Sequence, residues 1–173
     1  MPERHTKHGE KLNVIVSAAL ICRAEEKPTG MVVNLTDISR LKRMESALRD
    51  SEEKYRTLFE FSEDALFLGK ITQNTVEMVG CNSRACDMFK CSRDRLLGSK
   101  PADISPERQP DGSDSVKAAQ RYSRAAHDGL SQHFYWKHKR FDGDTFDTEM
   151  TLNRLEIGND IYLQGIVRDI SKK

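Results

Sequence analysis

Along the last third of the chain, apolar and polar side chains alternate with a period of two, the mark of a strand with one buried face. Phe146, Met150 and Leu152 alternate with Asp147, Glu149, Thr151 and Asn153, and Phe134, Trp136 and His138 alternate with Tyr135, Lys137 and Lys139. Asp142-Gly143 joins these two runs as a tight turn. A third strand follows from Ile161, and its Gly165 marks a close approach by backbone or ligand. Upstream the period changes. Val116, Ala119, Ser123, Ala126 and Leu130 recur at steps of three and four, which predicts a helix capped by Ser113 or Ser115 and ended by Asp128-Gly129. Pro101, Pro106 and Pro110 make the preceding stretch a loop. Two short helices begin at Ser83 and Ser92, each with a serine N-cap, and two strands begin at Asp64 and Val76, joined by a turn from Thr72 to Thr75. The order for residues 64 to 170 is β-β-α-α-α-β-β-β. It describes an α+β class chain, with a five-stranded antiparallel sheet and short helices on one face.

The N-terminal part repeats the end of this pattern. HGEKLNVIVSAALI from His8 parallels DGDTFDTEMTLNRL from Asp142, and each copy passes a polar turn (EEKPTG from Glu25, EIGND from Glu156) before a second apolar run. Both copies close on Asp-Ile-Ser, at Asp37-Ile38-Ser39 and Asp169-Ile170-Ser171. The first copy therefore reads as an isolated β-hairpin. Two strands cannot bury an apolar face alone, and VIVSAAL is apolar on both sides, so packing against another surface is expected.

Between the copies, Leu41, Met44, Leu48, Ser51, Tyr55 and Leu58 follow alternating steps of three and four, the a/d seam of a coiled coil with one polar member. Glu45/Arg49, Asp50/Lys54 and Glu52/Arg56 are acid-before-base pairs that favour a helix. From Ser39 to Glu60 such a helix measures about 33 Å. A kink at Asp50-Ser51-Glu52-Glu53, and an amphipathic helix packed on its own domain, are the alternatives to a homodimer seam through Leu41, Met44, Leu48, Tyr55 and Leu58.

Composition narrows the classes. Lys plus Arg total 28 against 27 for Asp plus Glu, a formal charge of +1, without the basic footprint of a nucleic-acid binder. Charged residues are 32% and hydrophobic ones 37%, a globular rather than disordered balance. The longest apolar stretch, Val14 to Cys22, is far short of the roughly 20 residues of a membrane helix. The charged start has no apolar core behind it, so a cytoplasmic chain without a secretory signal is expected. Cys22, Cys81, Cys86 and Cys91 contain no C-x-x-C pair and read as reduced, partly buried thiols. There is no Gly-rich phosphate loop, no H-E-x-x-H and no serine nucleophile elbow, so no catalytic segment is read here.

Several of these segments resemble a PAS domain. The residues that carry the likeness are SEEKYRTLFEFSEDALFL; Asn82, Ala85, Phe89, Leu97 and Gly98; and Phe134, Trp136, Asp142 and Gly143, followed by the closing Asp-Ile-Ser where the family has Asp-Ile-Thr. The likeness runs from about Ser51 to Ser171. It divides the chain into residues 1–38, the C-terminal hairpin of an incomplete PAS domain; 39–60, a helical linker; and 51–171, a PAS domain. It implies a PAS fold and a sensory or dimerisation module of a signal-transduction protein such as a histidine kinase, with the effector in another chain or in further sequence. A ligand-free scaffold for homodimerisation or partner binding is the alternative.

Leu66, Leu68, Met78, Met88, Phe89, Leu97, Trp136, Met150 and Ile166 are the candidate lining of a ligand pocket or filled core. Asp37, Ile38, Asp169 and Ile170 are the candidate relay from the last strand into a helix. No cofactor is expected. The resemblance would place a haem ligand near His127, which stands beside the helix-ending Asp128-Gly129. Cys91-Ser92-Arg93 lacks the rest of a flavin-photochemistry motif. His133 and His138 read as ordinary surface histidines.

Overall fold

A computed structural model describes residues 3–5, 9, 11–22, 27, 29–72 and 75–171, with only the backbone for 3–5. Half of the turn expected from Glu25 lies outside them, as do His8 and Glu10 of the repeat and the middle of the turn from Thr72 to Thr75. The chain forms two compact units, Met1–Tyr55 and Arg56–Lys173.

The larger unit is an antiparallel sheet of β4 (Ala65–Thr72), β5 (Thr75–Cys81), β6 (Gln132–Lys139), β7 (Thr145–Ile157) and β8 (Asp160–Asp169), in the order β5-β4-β8-β7-β6. Helices α2 (Ser83–Phe89), α3 (Arg93–Leu96) and α4 (Ser115–His127) follow β5. The buried face of the sheet carries Ala65, Phe67, Met78, Trp136, His138, Phe146, Thr148, Leu152, Leu163 and Val167. Phe89 of α2 is fully buried at the centre, with the rings of Phe67, His138 and Phe146 edge-on at 5.6, 5.2 and 5.2 Å.

Helix α4 differs from its sequence pattern. Its N-cap is Asp114, whose carboxylate accepts from the Lys117 N–H, and not a serine. The covered face is Ser115, Ala118, Ser123 and Ala126, and Tyr122 stacks on Phe134 at 3.7 Å. Val116 and Leu130 are exposed. Leu130 stands beyond the left-handed Gly129, where helical spacing no longer applies.

Asn82 organises the other end of the domain. It, rather than Ser83, caps α2: its Oδ1 accepts from the Ala85 N–H and from the Leu66 N–H of β4, both at 3.0 Å. Its Nδ2 donates to the Asp64 carbonyl at 3.1 Å and to the Phe59 carbonyl at 3.0 Å. All four side-chain valences are filled and the residue is fully buried. Phe59 belongs to the last turn of α1 (Ser39–Glu60), a helix unbroken across Asp50-Ser51-Glu52-Glu53. The next residue, Glu60, accepts from the Ser83 N–H, the Ser83 hydroxyl and Arg93 at 2.8, 2.6 and 2.8 Å. These bonds hold its carboxyl below the usual range, the Ser83 hydroxyl first among them.

The smaller unit pairs β1 (Glu3–His5), β2 (Lys11–Ile21) and β3 (Gly30–Asp37) in that order. Its register copies the end of the larger unit. His5 pairs with Lys11 as Lys139 pairs with Thr145, and Val14 pairs with Asp37 as Thr148 pairs with Asp169. Gly9 is left-handed, as is Gly143 in the corresponding turn. The closing tripeptides also match: Asp37 Oδ1 accepts from the Ser39 N–H at 2.8 Å, and Asp169 Oδ1 from the Ser171 N–H at 2.9 Å. The Ser39 and Ser171 hydroxyls accept from the N–H groups of Asn13 and Asp147 at 2.9 and 3.0 Å. The isolated hairpin of the sequence is thus a three-stranded sheet. Its Ile15, Val16, Leu20, Val32, Val33 and Leu35 are exposed.

Replacing Asn82 with Ala strands two N–H groups and two carbonyls in a buried site. Urea unfolding of Asn82→Ala is expected to show a loss of about 3 kcal/mol; a loss of only a few tenths contradicts this role.

Candidate functional site

Between the sheet and α4 lies an apolar cavity of about 60 Å³. The strands contribute Phe67 and Gly69 (β4), Val76 and Met78 (β5), Phe134, Trp136 and His138 (β6), Met150 and Leu152 (β7), and Leu163, Gly165 and Val167 (β8). Pro101, Ile104 and Ser105 of the proline loop and Ala119 and Ser123 of α4 close it. Gly69 is required by space, since a Cβ there would collide with Val76 across a register shift in the β4–β5 pairing.

The cavity is small because the loop is fastened to β6. Lys139 N–H donates to the Ile104 carbonyl at 2.9 Å, and Gln109 bonds both the N–H and the carbonyl of Lys137. Trp136 Nε1 donates to Ser105 Oγ at 3.0 Å, and that hydroxyl donates to the Pro101 carbonyl at 2.6 Å. These bonds also cover an edge strand that would otherwise expose its ladder.

Of the nine candidate lining residues, Met78, Trp136 and Met150 line the cavity. Met88 and Phe89 belong to the adjoining core, and Leu97 is 36% exposed. Leu66, Leu68 and Ile166 lie on the opposite face of the sheet, where Leu66 pairs with Ile166. Ala65, Phe67 and Gly69, and Leu163, Gly165 and Val167, hold the inner positions instead. Both strands carry apolar residues on both faces, which hides the period of two. The signal was in their few polar residues: Lys70 shares the parity of Leu66 and Leu68, and Gln164 and Arg168 share that of Ile166.

His138 is the largest departure from expectation. It is 2% exposed rather than superficial, in keeping with the parity it shares with Trp136, and burial pushes its pKa down to about 3. His133 is exposed, with Nδ1 at 3.0 Å from Thr151 Oγ1. On the outer face of the sheet, Asp147 takes hydrogen bonds from Tyr135 and Lys137 and its carboxyl is held below its usual range, first by Lys137.

The cavity shares Val76, Pro101, Ala119 and Ser123 with a wider groove of about 320 Å³ between α4 and the β4–β5 hairpin. His127 lines that groove and not the cavity, with Nδ1 3.5 Å from Asp128. Cys91 packs against the core outside the cavity lining, and burial raises its thiol pKa. Among the described residues no group of three His, Cys, Asp or Glu side chains could hold a metal ion, and no helix is long and apolar enough to cross a membrane.

The seam residues Leu41, Met44, Leu48, Tyr55 and Leu58 are all exposed along α1. Asp37 accepts from the first N–H of that helix, and this bond, with the Ser39 hydroxyl, lowers its carboxyl pKa. Ile38 is buried, and the Ile170 N–H donates to the Asp147 carbonyl as that of Ile38 donates to Asn13.

Because the folded pKa of His138 lies below the roughly 6.5 of an unfolded histidine, the unfolded chain binds the extra proton first as pH falls. Stability therefore drops below about pH 6.5, by up to about 1.4 kcal/mol per pH unit until the folded pKa is reached. Urea unfolding at about pH 7 and pH 5 is expected to show a loss of about 2 kcal/mol that His138→Gln removes; equal slopes in the two proteins contradict the assignment.

Comparison with known proteins agrees with this architecture. No curated protein matches the sequence. Among solved structures, the PAS domain of an HTR-like protein from Haloarcula marismortui is similar with a TM-score of 0.62 and 21% identity, over 75% of this chain and 99% of that one. A domain of a sensory box sensor histidine kinase/response regulator from Geobacter sulfurreducens gives 0.57 and 21%, over 70% and 96%. The Rhodobacter sphaeroides LOV protein gives 0.57 and 19%, over 72% and 69%. A family model described as PAS domain matches residues 63–172. The chain belongs to the PAS domain family.

Proposed function

We propose that this chain is a cytoplasmic sensory module of a signal-transduction protein such as a histidine kinase. It senses a small molecule in the cavity and passes the change through the Asp-Ile-Ser end of its last strand into a helix. The observation that carries this reading is the congruence of the two tripeptides. Asp37-Ile38-Ser39 and Asp169-Ile170-Ser171 make the same hydrogen bonds to their own sheets, and the first runs directly into α1. A sheet that shifts at its last strand moves the carbonyls and carboxylate from which such a helix starts. In this reading residues 1–38 are the end of a preceding PAS domain, residues 39–60 a linker, and 51–171 the PAS domain that follows.

The linker is read as the seam of a homodimer. Leu41, Met44, Leu48, Tyr55 and Leu58 place exposed apolar side chains at a/d spacing on a 22-residue helix, a stripe whose burial favours a second copy. The effector lies in another chain or in further sequence, and no catalytic role is assigned to these residues. A flavin is not part of the proposal, because its three fused rings exceed a cavity well under half of the roughly 150 Å³ in which benzene binds. The same small volume supports a second reading, a ligand-free scaffold for dimerisation or partner binding.

Sedimentation of the purified chain separates these ideas from a monomeric domain. A dimer is expected, with Leu48→Asp raising its dissociation constant at least about tenfold; a monomer at tens of micromolar contradicts the seam. Native mass spectrometry of the same sample distinguishes sensor from scaffold by a bound small molecule.

A further inference from the structure

His138 carries a hydrogen-bonding atom that the protein leaves unused. Thr148 donates its one hydroxyl proton to the Trp136 carbonyl at 2.7 Å, so toward His138 Nδ1, at 2.9 Å, its oxygen can only accept. Nδ1 therefore holds the proton of the neutral ring, and Nε2 is left as a bare acceptor. Among the described residues the ring's one hydrogen bond is that at Nδ1. His138 is 2% exposed and lines a cavity whose other walls are almost wholly apolar. Of the other polar side chains in the lining, Ser105 already donates to Pro101 and accepts from Trp136, and Ser123 stands on α4 at the neck. Nε2 is not walled off, so a donor that enters the cavity can reach an acceptor the protein leaves unpaired.

We infer that the cavity takes an uncharged, slender alcohol whose hydroxyl donates to His138 Nε2 and whose alkyl chain leaves through the neck at Val76, Pro101, Ala119 and Ser123. Water needs two to four polar partners and the wall offers two at most, His138 Nε2 and the Ser123 hydroxyl, leaving the rest of the cavity to apolar atoms. A cation or carboxylate would be stripped of its hydration among apolar side chains. A hydroxyl gives one proton and asks little more. The shape agrees: 60 Å³ is about twice the share of one water in the liquid, room for the hydroxyl and the first carbons only. His138 stands on β6 and Val76 on β5, the opposite edges of the sheet. A chain anchored at His138 thus crosses the cavity to reach the groove, where Ile71, Ala102 and Val116 extend the apolar wall.

This inference rests on the ligand-sensing reading, and one titration separates the two. The probes are 1-hexanol and its isomer 1-methoxypentane, which has the same atoms but no proton to donate. Each is added to the full chain while backbone amides and the imidazole nitrogens are followed by NMR. Hexanol is expected to shift amides of Met78, Trp136 and Met150 saturably and to move the Nε2 resonance toward a hydrogen-bonded value. The ether is expected to bind about tenfold more weakly, the weight of one hydrogen bond. In His138→Phe, with its fold checked by circular dichroism, the two should bind alike. If the ether binds the unsubstituted protein as tightly as the alcohol, the donor requirement is overturned while the cavity remains a ligand site. If neither probe shifts cavity amides, the sensing reading falls with it.

Discussion

The larger domain depends on one asparagine. The Asn82 side chain joins three elements at once: the last turn of α1, the start of β4 and the first turn of α2. Each of those places is a chain end whose backbone groups lack partners of their own. An amide is suited to this because it offers two acceptor sites and two donors in one plane, and here all four are used. Glu60 adds a second tie from the same helical turn to Ser83 and Arg93. The helix end is therefore part of the domain's hydrogen-bond network.

At the start of α1, a repeated hydrogen-bond set begins a helix. The carboxylate of Asp37 and the hydroxyl of Ser39 each satisfy a backbone N–H, one at the helix start and one in the sheet. Asp169 and Ser171 reproduce both bonds at closely similar lengths. Repetition of strand register, turn glycine and closing bonds in two units of different sequence points to geometry rather than side-chain identity as what is kept. The exposed apolar residues on β2 and β3 follow from the same comparison. In the larger unit the corresponding strands β7 and β8 have α4 over their inner face and β4 along the β8 edge, whereas Ile15, Val16, Leu20, Val32, Val33 and Leu35 of the smaller unit are exposed.

Much of this was legible in the residues. The order of elements from residue 64 to 170, the Asp-Gly turn, the helix from Ser39 to Glu60 and the closing tripeptides are all local patterns. What escaped was the choice of face. Leu66, Leu68 and Ile166 are large and apolar, yet they occupy the outer face, while the inner positions include Gly69, where a Cβ would strike Val76. His138 was missed for the converse reason: histidine is usually superficial, and only its parity with Trp136 placed it inside. Asn82 could be seen as part of a family motif, but its reach to Phe59 depends on a contact between distant residues that spacing does not encode. The small cavity likewise depends on the loop bonds from Ile104, Ser105 and Gln109 to β6.

Native-state hydrogen exchange tests the central role of Asn82 most directly. The Leu66 and Ala85 amides donate to its carbonyl oxygen, and the Phe61 amide closes the helical turn that its amide nitrogen holds. The account predicts that all three exchange through one opening, with equal free energies. Exchange at Phe61 that is orders of magnitude faster, while Leu66 and Ala85 stay protected, would contradict it.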